Sequence, residues 1–486
     1  MIKIQHSFLV QKKHITLVNP LTHKYHKPLP IALASSSVLS FEDWRPSLSY
    51  EKFSPAKQAL VVATGVTCYC HSLAMKAPIA KLLVLIAIVS VSSCQLSTID
   101  SEVHDSKEQL KMRAEELAQR LIIADTHIDV PYRLAKRMED ISVRTPGGDF
   151  DYPRANRGGL NLAFMSIYIP ARYQTGGAKK MADRMIDMVE GFALKSPDKF
   201  VLVNTSTEIQ DQFLQKKVLL AMGMENGAPI QGDLDNLEYF YDRGIRYITL
   251  THSKNNHICD SSYDLTRKWK GLSPFGRQLI HKMNQLGIMI DTSHVSDQAF
   301  FQIIQLTQAP IIASHSSCRH FTPDWERNMS DEMLVELKNN NGVIQINFGS
   351  SFVNNQYREK SNARKKQITQ HLETAELDPA TSAAQQYAEK YAREHPIERA
   401  DISDVVDHID HVVQLIGINH VGIGSDFDGV GDSLPNGLKD VSDYPNLIHE
   451  LLNRGYSDQD IEKICSGNLL RVWRKVEQVA QKLQSN

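Results

Sequence analysis

The chain has 486 residues, of which 42% are hydrophobic, so it can form one large domain or two or three of average size. Its 54 lysines and arginines balance 56 aspartates and glutamates, and the formal charge of -2 provides no basic field for binding nucleic acid. The six cysteines lie too far apart to indicate a disulfide framework or a zinc ribbon. Composition therefore favours small molecules as partners.

The N-terminal region divides at Met75. Residues 1–74 show no sustained hydrophobic periodicity, and we interpret them as an over-extended N-terminus, with Met75 as the true start. Two lysines and an uninterrupted apolar run at residues 82–89 come next. This run is too short to span a bilayer, which takes ~20 residues, but it fits the core of a signal peptide. Residues 75–93 are therefore predicted to be a signal peptide.

Cys94 ends a Val-Ser-Ser-Cys sequence that resembles the lipobox of bacterial lipoproteins, in which the cysteine becomes the lipidated first residue of the mature chain. Gln95 stands after it in place of aspartate, which by resemblance to enterobacterial sorting favours the outer membrane. We therefore expect a protein of the bacterial cell envelope, lipid-anchored at Cys94 on the periplasmic side. The alternative is an internal hydrophobic segment of a longer precursor. Residues 94–120 are then a charged linker.

Eight apolar runs in the remaining chain have the length and composition of buried β-strands. They lie at residues 121–126, 160–168, 218–224, 245–251, 287–292, 310–314, 342–348 and 420–425. Segments with helical spacing lie between most of them, at 178–194, 274–286, 297–306, 331–339 and 403–416. This alternation predicts an α/β fold, a (β/α)8 TIM-type barrel over residues 121–486, although a doubly wound open sheet has the same alternation.

The longest interruption, residues 351–400, precedes the eighth predicted strand. It is rich in Gln, Glu, Lys, Arg and Ala with helical spacing, which indicates an extra helical hairpin at the edge of the barrel. We expect solvated helices without a part in the chemistry, in preference to a lid.

The first predicted strand ends in LIIADTHIDVP, residues 121–131. Successive side chains of a strand point to opposite faces, so Asp125, His127 and Asp129 would share one face. A His-x-Asp pair is by itself a weak signal for a metal, because both residue types are common in loops. Its meaning depends on the residues at the ends of the other strands.

Histidines or carboxylates stand at the ends of six of the eight predicted strands. They are His127 and Asp129 after the first, Glu225 after the third, His252 after the fourth, His294 after the fifth, His315 after the sixth and Asp426 after the eighth. The C-terminal ends of barrel strands meet at one rim, where active sites lie. Each residue alone could be a hydrogen-bonded loop residue or a helix cap, but their joint placement predicts a metal site.

The residue types indicate which metal would bind. Three of these imidazoles with two of the carboxylates, and no thiolate, suit Zn²⁺ or a similar divalent ion, whereas Ca²⁺ and Mg²⁺ prefer oxygen ligands. Five ligands are too many for one catalytic zinc that keeps an open position. Two Zn²⁺ ions per subunit that share a bridging carboxylate would use all five and activate a bridging water.

Eight collinear motifs over residues 110–480 resemble the membrane (renal) dipeptidase family of dinuclear zinc peptidases. They are HID at 127–129, GMENG at 223–227, LTHSKNN at 250–256, GLSPFG at 271–276, DTSHVS at 291–296, ASHSS at 313–317, GIGSDFDG at 422–429 and SGNLLRV at 466–472. The resemblance implies that His127 and Asp129 hold one zinc ion, that His294 and His315 hold the other, and that Glu225 bridges both.

The same resemblance implies that His252 binds substrate and stabilises the tetrahedral oxygen. Arg327 would bind the substrate carboxylate, although a surface arginine on a loop is the alternative there. Asp426 would take the proton of the water and pass it to the leaving amine. Asp125, which precedes the ligands on the strand, would orient them.

The implied activity is zinc-dependent hydrolysis of dipeptides, with tolerance of a D-residue at the second position, in a possible homodimer. One alternative is another amidohydrolase-type barrel that acts on a small cyclic amide, lactone or β-lactam. Glu225 stands where the carbamylated-lysine branch of those enzymes has its lysine, which disfavours that branch. The second alternative is a non-enzymatic lipoprotein scaffold.

Overall fold

The computed structural model describes residues 107–485. Met75, the predicted signal peptide at residues 75–93 and Cys94 lie outside these residues, so the signal peptide and the lipid anchor stay predictions. Within 107–485, each helix is too short or too polar to cross a membrane.

Nine parallel strands in the described part of the chain form one sheet, and eight of them are arranged in succession around a barrel. Their bounds are Ile123–Ile128 (β1), Leu160–Tyr168 (β2), Phe200–Leu202 (β3), Val218–Glu225 (β4), Ile245–Thr249 (β5), Met289–Asp291 (β6), Ile312–Ser316 (β7), Val343–Ile346 (β8) and Val421–Ile423 (β9). The edges meet where Ile128 pairs with Phe427. This confirms the predicted (β/α)8 barrel; only β3, a three-residue strand beside β4, was not predicted.

Helices cover the outside of the sheet. Their bounds are 107–120 (α1), Val130–Lys136 (α2), Tyr152–Gly158 (α3), Ala178–Lys195 (α4), Glu208–Phe213 (α5), Leu234–Asp242 (α6), Pro274–Leu286 (α7), Asp297–Leu306 (α8), Asp331–Asn339 (α9), Ser350–Val353 (α10), Asn355–Thr374 (α11), Ser382–Glu394 (α12), Ile402–Ile416 (α13), Tyr444–Asn453 (α14), Asp458–Glu462 (α15) and Asn468–Gln484 (α16). The predicted helices end within one residue of the observed ones. Serine caps explain three of the starts, because Ser273, Ser296 and Ser330 each accept a hydrogen bond from the amide three residues on.

The inside of the barrel is a packed core with a polar layer above it. Apolar side chains from the strands form one buried cluster, and Trp473 of α16 belongs to the same cluster. In several strands the residue two positions after the one in this cluster is also buried, but it is polar. These residues are Thr126, Ser166, Thr249, Asp291, Ser314 and Gln345. Since side chains two apart share a face, these polar residues also point into the barrel, between the apolar core and the C-terminal rim.

Helix α1 packs against the barrel. Ala114, Leu117 and Ala118 are buried in the cluster between sheet and helices. Arg113 and Arg120 both contact Asp458, at 2.7 and 3.0 Å. Residues 107–120 of the predicted linker are therefore part of the domain's core.

The insertion at 351–400 is helical, as expected, and consists largely of α11 and α12. Most of α12 is exposed. Three of its side chains, Phe352, Arg358 and Lys365, line the cleft at the rim. The expectation that the insertion has no part in the chemistry stays a prediction.

Candidate metal centre

Glu225 lies at the centre of the predicted ligands, at the end of β4 and 3% exposed. Its Oε2 atom is 3.4 Å from Nε2 of His127. Its Oε1 atom is 3.1 Å from Nε2 of His294 and 3.3 Å from Nε2 of His315. The two carboxylate oxygens therefore face two different groups of side chains, which is the arrangement that a bridging carboxylate needs.

The first group consists of His127, Asp129 and Asp426, whose ligand atoms lie within 4.8 Å of one another. The closing edge of the barrel brings them together, because the amide of Asp426 donates to the carbonyl of His127 at 3.1 Å. The amide of Asp129 in turn donates to the carbonyl of Phe427 at 2.9 Å. The predicted metal ligands of the first strand and the predicted acid-base group of the eighth thus share one site.

The second group lies near Oε1 of Glu225 and contains His252, His294 and His315. The ring of His315 also stacks on that of His127, with ring centroids 3.7 Å apart. The Nε2 atoms of His294 and His315 are 2.9 Å apart, and Nε2 of His252 is 3.5 Å from Oε1 of Glu225. The side chain of His252 is 20% exposed, whereas His294 and His315 are buried. His252 is therefore the most exposed of the three, and both His252 and His294 line the cleft above them.

The hydrogen bonds of His127 leave one ring nitrogen free for a metal. Tyr247 donates its only hydroxyl hydrogen to the carbonyl of Thr126 at 2.9 Å. The same hydroxyl is 2.8 Å from Nδ1 of His127, so it accepts a hydrogen bond from Nδ1–H. In the neutral ring Nε2 is then the unprotonated nitrogen, and it is buried without a hydrogen-bond partner in the described chain. A buried lone pair of this kind fits a bound cation.

His315 is held in the same tautomer by a serine and an aspartate. Its Nδ1 atom is 2.7 Å from the hydroxyl of Ser314, which donates to Oδ2 of Asp291 at 2.6 Å. Since Ser314 gives its hydrogen to the carboxylate, it accepts one from Nδ1–H of His315. The Nε2 atom is thereby left to bind a metal.

Burial and the neighbouring charges shift the pKa values in the site. Burial lowers the pKa of His294 and of His315 well below the ordinary value, which favours the neutral imidazoles that bind metals. Burial by itself would raise the pKa of Glu225, but His127 and His252 outweigh it and hold that pKa well below its usual range. Burial raises the pKa of Asp426 well above its usual range.

The backbone is strained at two of the site residues. His294 has φ 70° and Asp426 has φ 63°, in the left-handed region that non-glycine residues seldom adopt. Gly429 allows the carboxylates to approach, since a Cβ there would lie 2.0 Å from Oδ1 of Asp426 and 2.2 Å from Oδ2 of Asp129. The local backbone thus adopts unfavourable conformations that place these side chains in the site.

Asp125 and Asn347 support the site from below. The carboxylate of Asp125 accepts from the amides of His127 and Ser425, both at 3.0 Å, and from the hydroxyl of Tyr444. It therefore positions the backbone of His127 and contacts no ring atom of it. Asn347, which lies just after β8 and was not predicted, donates to Oδ2 of Asp426 at 2.8 Å.

Arg327 is 2% exposed and lies behind the histidines. It donates to the carbonyl of His315 and to the hydroxyl of Ser316, both at 2.7 Å, and its Nη2 atom is 3.1 Å from Nε2 of His294. It is not among the residues that line the cleft. Its predicted contact with a substrate carboxylate stays a prediction.

A cleft of about 640 Å³ opens above the centre. Five of the predicted site residues line it, namely Asp129, Glu225, His252, His294 and Asp426. Sequence reasoning missed the aromatic wall formed by Tyr168, Tyr263, Trp325 and Phe352. The ring of Tyr168 is tilted against that of His252, with ring centroids 4.7 Å apart. Tyr168 is the last residue of β2 and pairs with Glu225 at the end of β4. Its position at a strand end is the feature that could have indicated a place in the site.

A parallel (β/α)8 barrel with a carboxylate between two groups of histidine and carboxylate ligands, at the C-terminal rim, defines a metal-dependent hydrolase of the barrel type. The chain belongs to the membrane dipeptidase family, peptidase family M19, whose model matches residues 111–486. It is a metallo-dipeptidase.

Relatives and solved structures agree with this assignment. An uncharacterized dipeptidase of Schizosaccharomyces pombe is 31% identical over 378 residues, which cover 74% of this chain and 82% of the relative. The probable dipeptidase PvdM of Pseudomonas aeruginosa is 28% identical with a TM-score of 0.67, covering 77% of this chain and 100% of that one. A metallo peptidase of Rhodobacter sphaeroides, solved with a phosphinate mimic of L-Ala-D-Ala, has the same fold at 23% identity, with a TM-score of 0.60 and coverage of 73% and 99%.

Replacing Tyr247 tests the hydrogen bond that selects the tautomer of His127. Tyr247→Phe keeps the ring in the barrel core but removes the acceptor for Nδ1–H. We expect metal affinity to fall by roughly tenfold to a hundredfold, as for other partners of metal-binding histidines. Competition with a fluorescent chelator measures this affinity. An unchanged metal affinity would show that the hydroxyl of Tyr247 does not select the tautomer of His127.

Proposed function

We propose that this enzyme hydrolyses dipeptides with two Zn²⁺ ions per subunit. His127 and Asp129 would hold one ion, His294 and His315 the other, and Glu225 both. The single observation that carries this proposal is the position of Glu225, whose two oxygens face different groups of ligands at 3.1 to 3.4 Å. The donors are imidazoles and carboxylates without a thiolate, which suits zinc.

The buried atoms of the site fit two cations. Nε2 of His127 and Oδ1 of Asp129 are buried without hydrogen-bond partners among the described residues. Leaving such groups unpaired is costly, and a bound cation would satisfy them. When bound, the ions would supply a water of lowered pKa and polarise the carbonyl of the peptide bond.

Two residues beside the ligands have positions suited to proton transfer and to charge stabilisation. Asp426 lies next to His127 and Asp129 and is fixed by Asn347, so it could take a proton from an attacking water and deliver it to the leaving amine. His252 faces the cleft above Glu225 and could donate to the oxygen on which negative charge develops.

The cleft is consistent with a short substrate. It is lined on one side by the aromatic wall and on the other by the segment that comes after β9, including Gly429 and Val430. We propose dipeptides as substrates, including dipeptides with a D-residue at the second position. L-Ala-D-Ala is a suitable first probe, because a mimic of it is bound in the Rhodobacter sphaeroides structure.

Metal analysis together with a substrate screen tests the proposal. We expect two zinc ions per chain in the purified protein and hydrolysis of L-Ala-L-Ala and L-Ala-D-Ala that stops when a chelator removes the metal. The screen should include lactones, cyclic amides and a β-lactam. Hydrolysis of one of these without hydrolysis of any dipeptide would favour the other amidohydrolase-type activity and contradict the proposal.

A further inference from the structure

One face of α11 carries basic side chains into the cleft. Arg358, Asn362 and Lys365 are four and then three residues apart, a spacing that places them on the same side of a helix. All three line the cleft. The insertion therefore forms part of the wall that a substrate meets.

Arg358 is held with its guanidinium group available to a substrate. Its Nη2 atom donates to the carbonyl of Pro323 at 3.2 Å and to Oδ1 of Asn355 at 2.7 Å, and its Nε atom donates to the same Oδ1 at 3.0 Å. The guanidinium lies 5.6 Å from the ring centre of Trp325, and Nη1 remains for a substrate. These partners are neutral. They fix the guanidinium at the cleft wall without cancelling its charge.

A third cation, Lys136 of α2, also lines the cleft. Its Nζ atom lies 4.0 Å from the ring centre of Tyr132. Within residues 107–485, no carboxylate forms an ion pair with Lys136, Arg358 or Lys365. The cleft therefore has three basic side chains without an acidic partner in the described structure.

The acidic side chains of the cleft do not offset this charge. Asp129 and Glu225 belong to the centre that would bind two divalent cations, and Asp426 lies beside it. The remaining carboxylate of the lining, Asp428, is paired with Arg133 at 3.0 Å. The walls thus present positive charge that a bound substrate can neutralise.

We propose that the substrates of this enzyme are dipeptides with an acidic side chain, which Arg358 and Lys365 select. This inference rests on the proposed dipeptidase function. Nη1 of Arg358 makes no hydrogen bond within the described residues and can donate to a carboxylate, and Lys365 adds charge on the same helix face. A neutral dipeptide of the same size lacks both interactions.

Matched pairs of dipeptides test the proposal. The zinc-loaded enzyme should have a kcat/KM about tenfold higher for L-Ala-L-Asp than for L-Ala-L-Asn, or for L-Asp-L-Ala than for L-Asn-L-Ala, as expected for two or three partly exposed ion pairs. The double variant Arg358→Gln with Lys365→Gln should bring this ratio close to one. Lys366→Gln is the control, since Lys366 is exposed on the same helix but does not line the cleft.

Salt provides a second measurement that needs no variant. Raising the ionic strength from about 0.05 to about 0.5 M should lower the preference for the acidic dipeptide, because screening weakens exposed ion pairs. A wild-type ratio near one, with neutral dipeptides still hydrolysed, would overturn this inference and leave the dipeptidase proposal standing. Retention of the preference in the double variant would also overturn it. Failure to hydrolyse any dipeptide would overturn the proposed function itself.

Discussion

Glu225→Gln should abolish dipeptide hydrolysis and lower the zinc content. The carboxylate places one oxygen toward His127 and the other toward His294 and His315. A glutamine keeps only one oxygen, loses the negative charge and presents an amide NH₂ group to the other cation. We expect kcat/KM to fall by at least about a thousandfold, because losing roughly 4 kcal/mol of metal-derived transition-state stabilisation has that effect.

Metal analysis and kinetics on the same preparation show whether the loss of activity is accompanied by a loss of zinc. Glu373→Gln makes the same chemical change at an exposed position of α11 and should alter neither zinc content nor rate. His294→Ala should lose zinc as well, since it removes a proposed ligand of one ion. Full activity of either Glu225→Gln or His294→Ala would contradict the assigned centre.

The candidate metal centre was predictable because its residues lie at the ends of strands, and most of the strands could be recognised in the sequence as apolar runs. Parallel strands in a barrel end at one rim. The positions of His252 and Asp426 at the ends of predicted strands were therefore enough to predict that both lie at that rim. Asn347 and Tyr168 were missed because they lie at the ends of strands that carry neither histidine nor carboxylate there. Tyr247 was missed for a different reason. In the sequence, an aromatic residue within a strand has the same pattern whether its ring only packs in the core or its hydroxyl also orients a metal ligand.

Local signals also explain which parts of the fold were predictable. Helices that start after a serine cap were placed closely, whereas β3 has three residues and no pattern to distinguish it. In α11 only Tyr357, Ser361 and Leu372 are buried among 20 residues. So weak an apolar face does not indicate which side of the helix meets the barrel. The basic wall of the cleft was therefore visible only in the structure.

Trp473→Ala should cause a large loss of stability without removing the metal centre. Trp473 is fully buried in the cluster inside the barrel, and its ring centre is 5.3 Å from that of Phe164, which lies 5.5 Å from that of Tyr247. Truncation leaves a cavity in a core with no obvious means of collapse, and we expect a loss of about 3–5 kcal/mol in the free energy of unfolding. Tyr247 keeps its hydrogen bond to the carbonyl of Thr126, so zinc content should stay near that of the wild type while the variant is folded.

Denaturant titration of the zinc-loaded protein measures the effect, with two further variants for comparison. Trp473→Phe should be less destabilised than the alanine variant, because it refills part of the cavity and removes an indole N–H that is buried without a partner in the described chain. Leu265→Ala removes an apolar side chain that is 98% exposed and should change the free energy by no more than about 0.5 kcal/mol. Equal stability of Trp473→Ala and Leu265→Ala would show that the barrel interior does not depend on the tryptophan. Loss of zinc from folded Trp473→Ala would show instead that packing at the bottom of the barrel controls the ligands at its top.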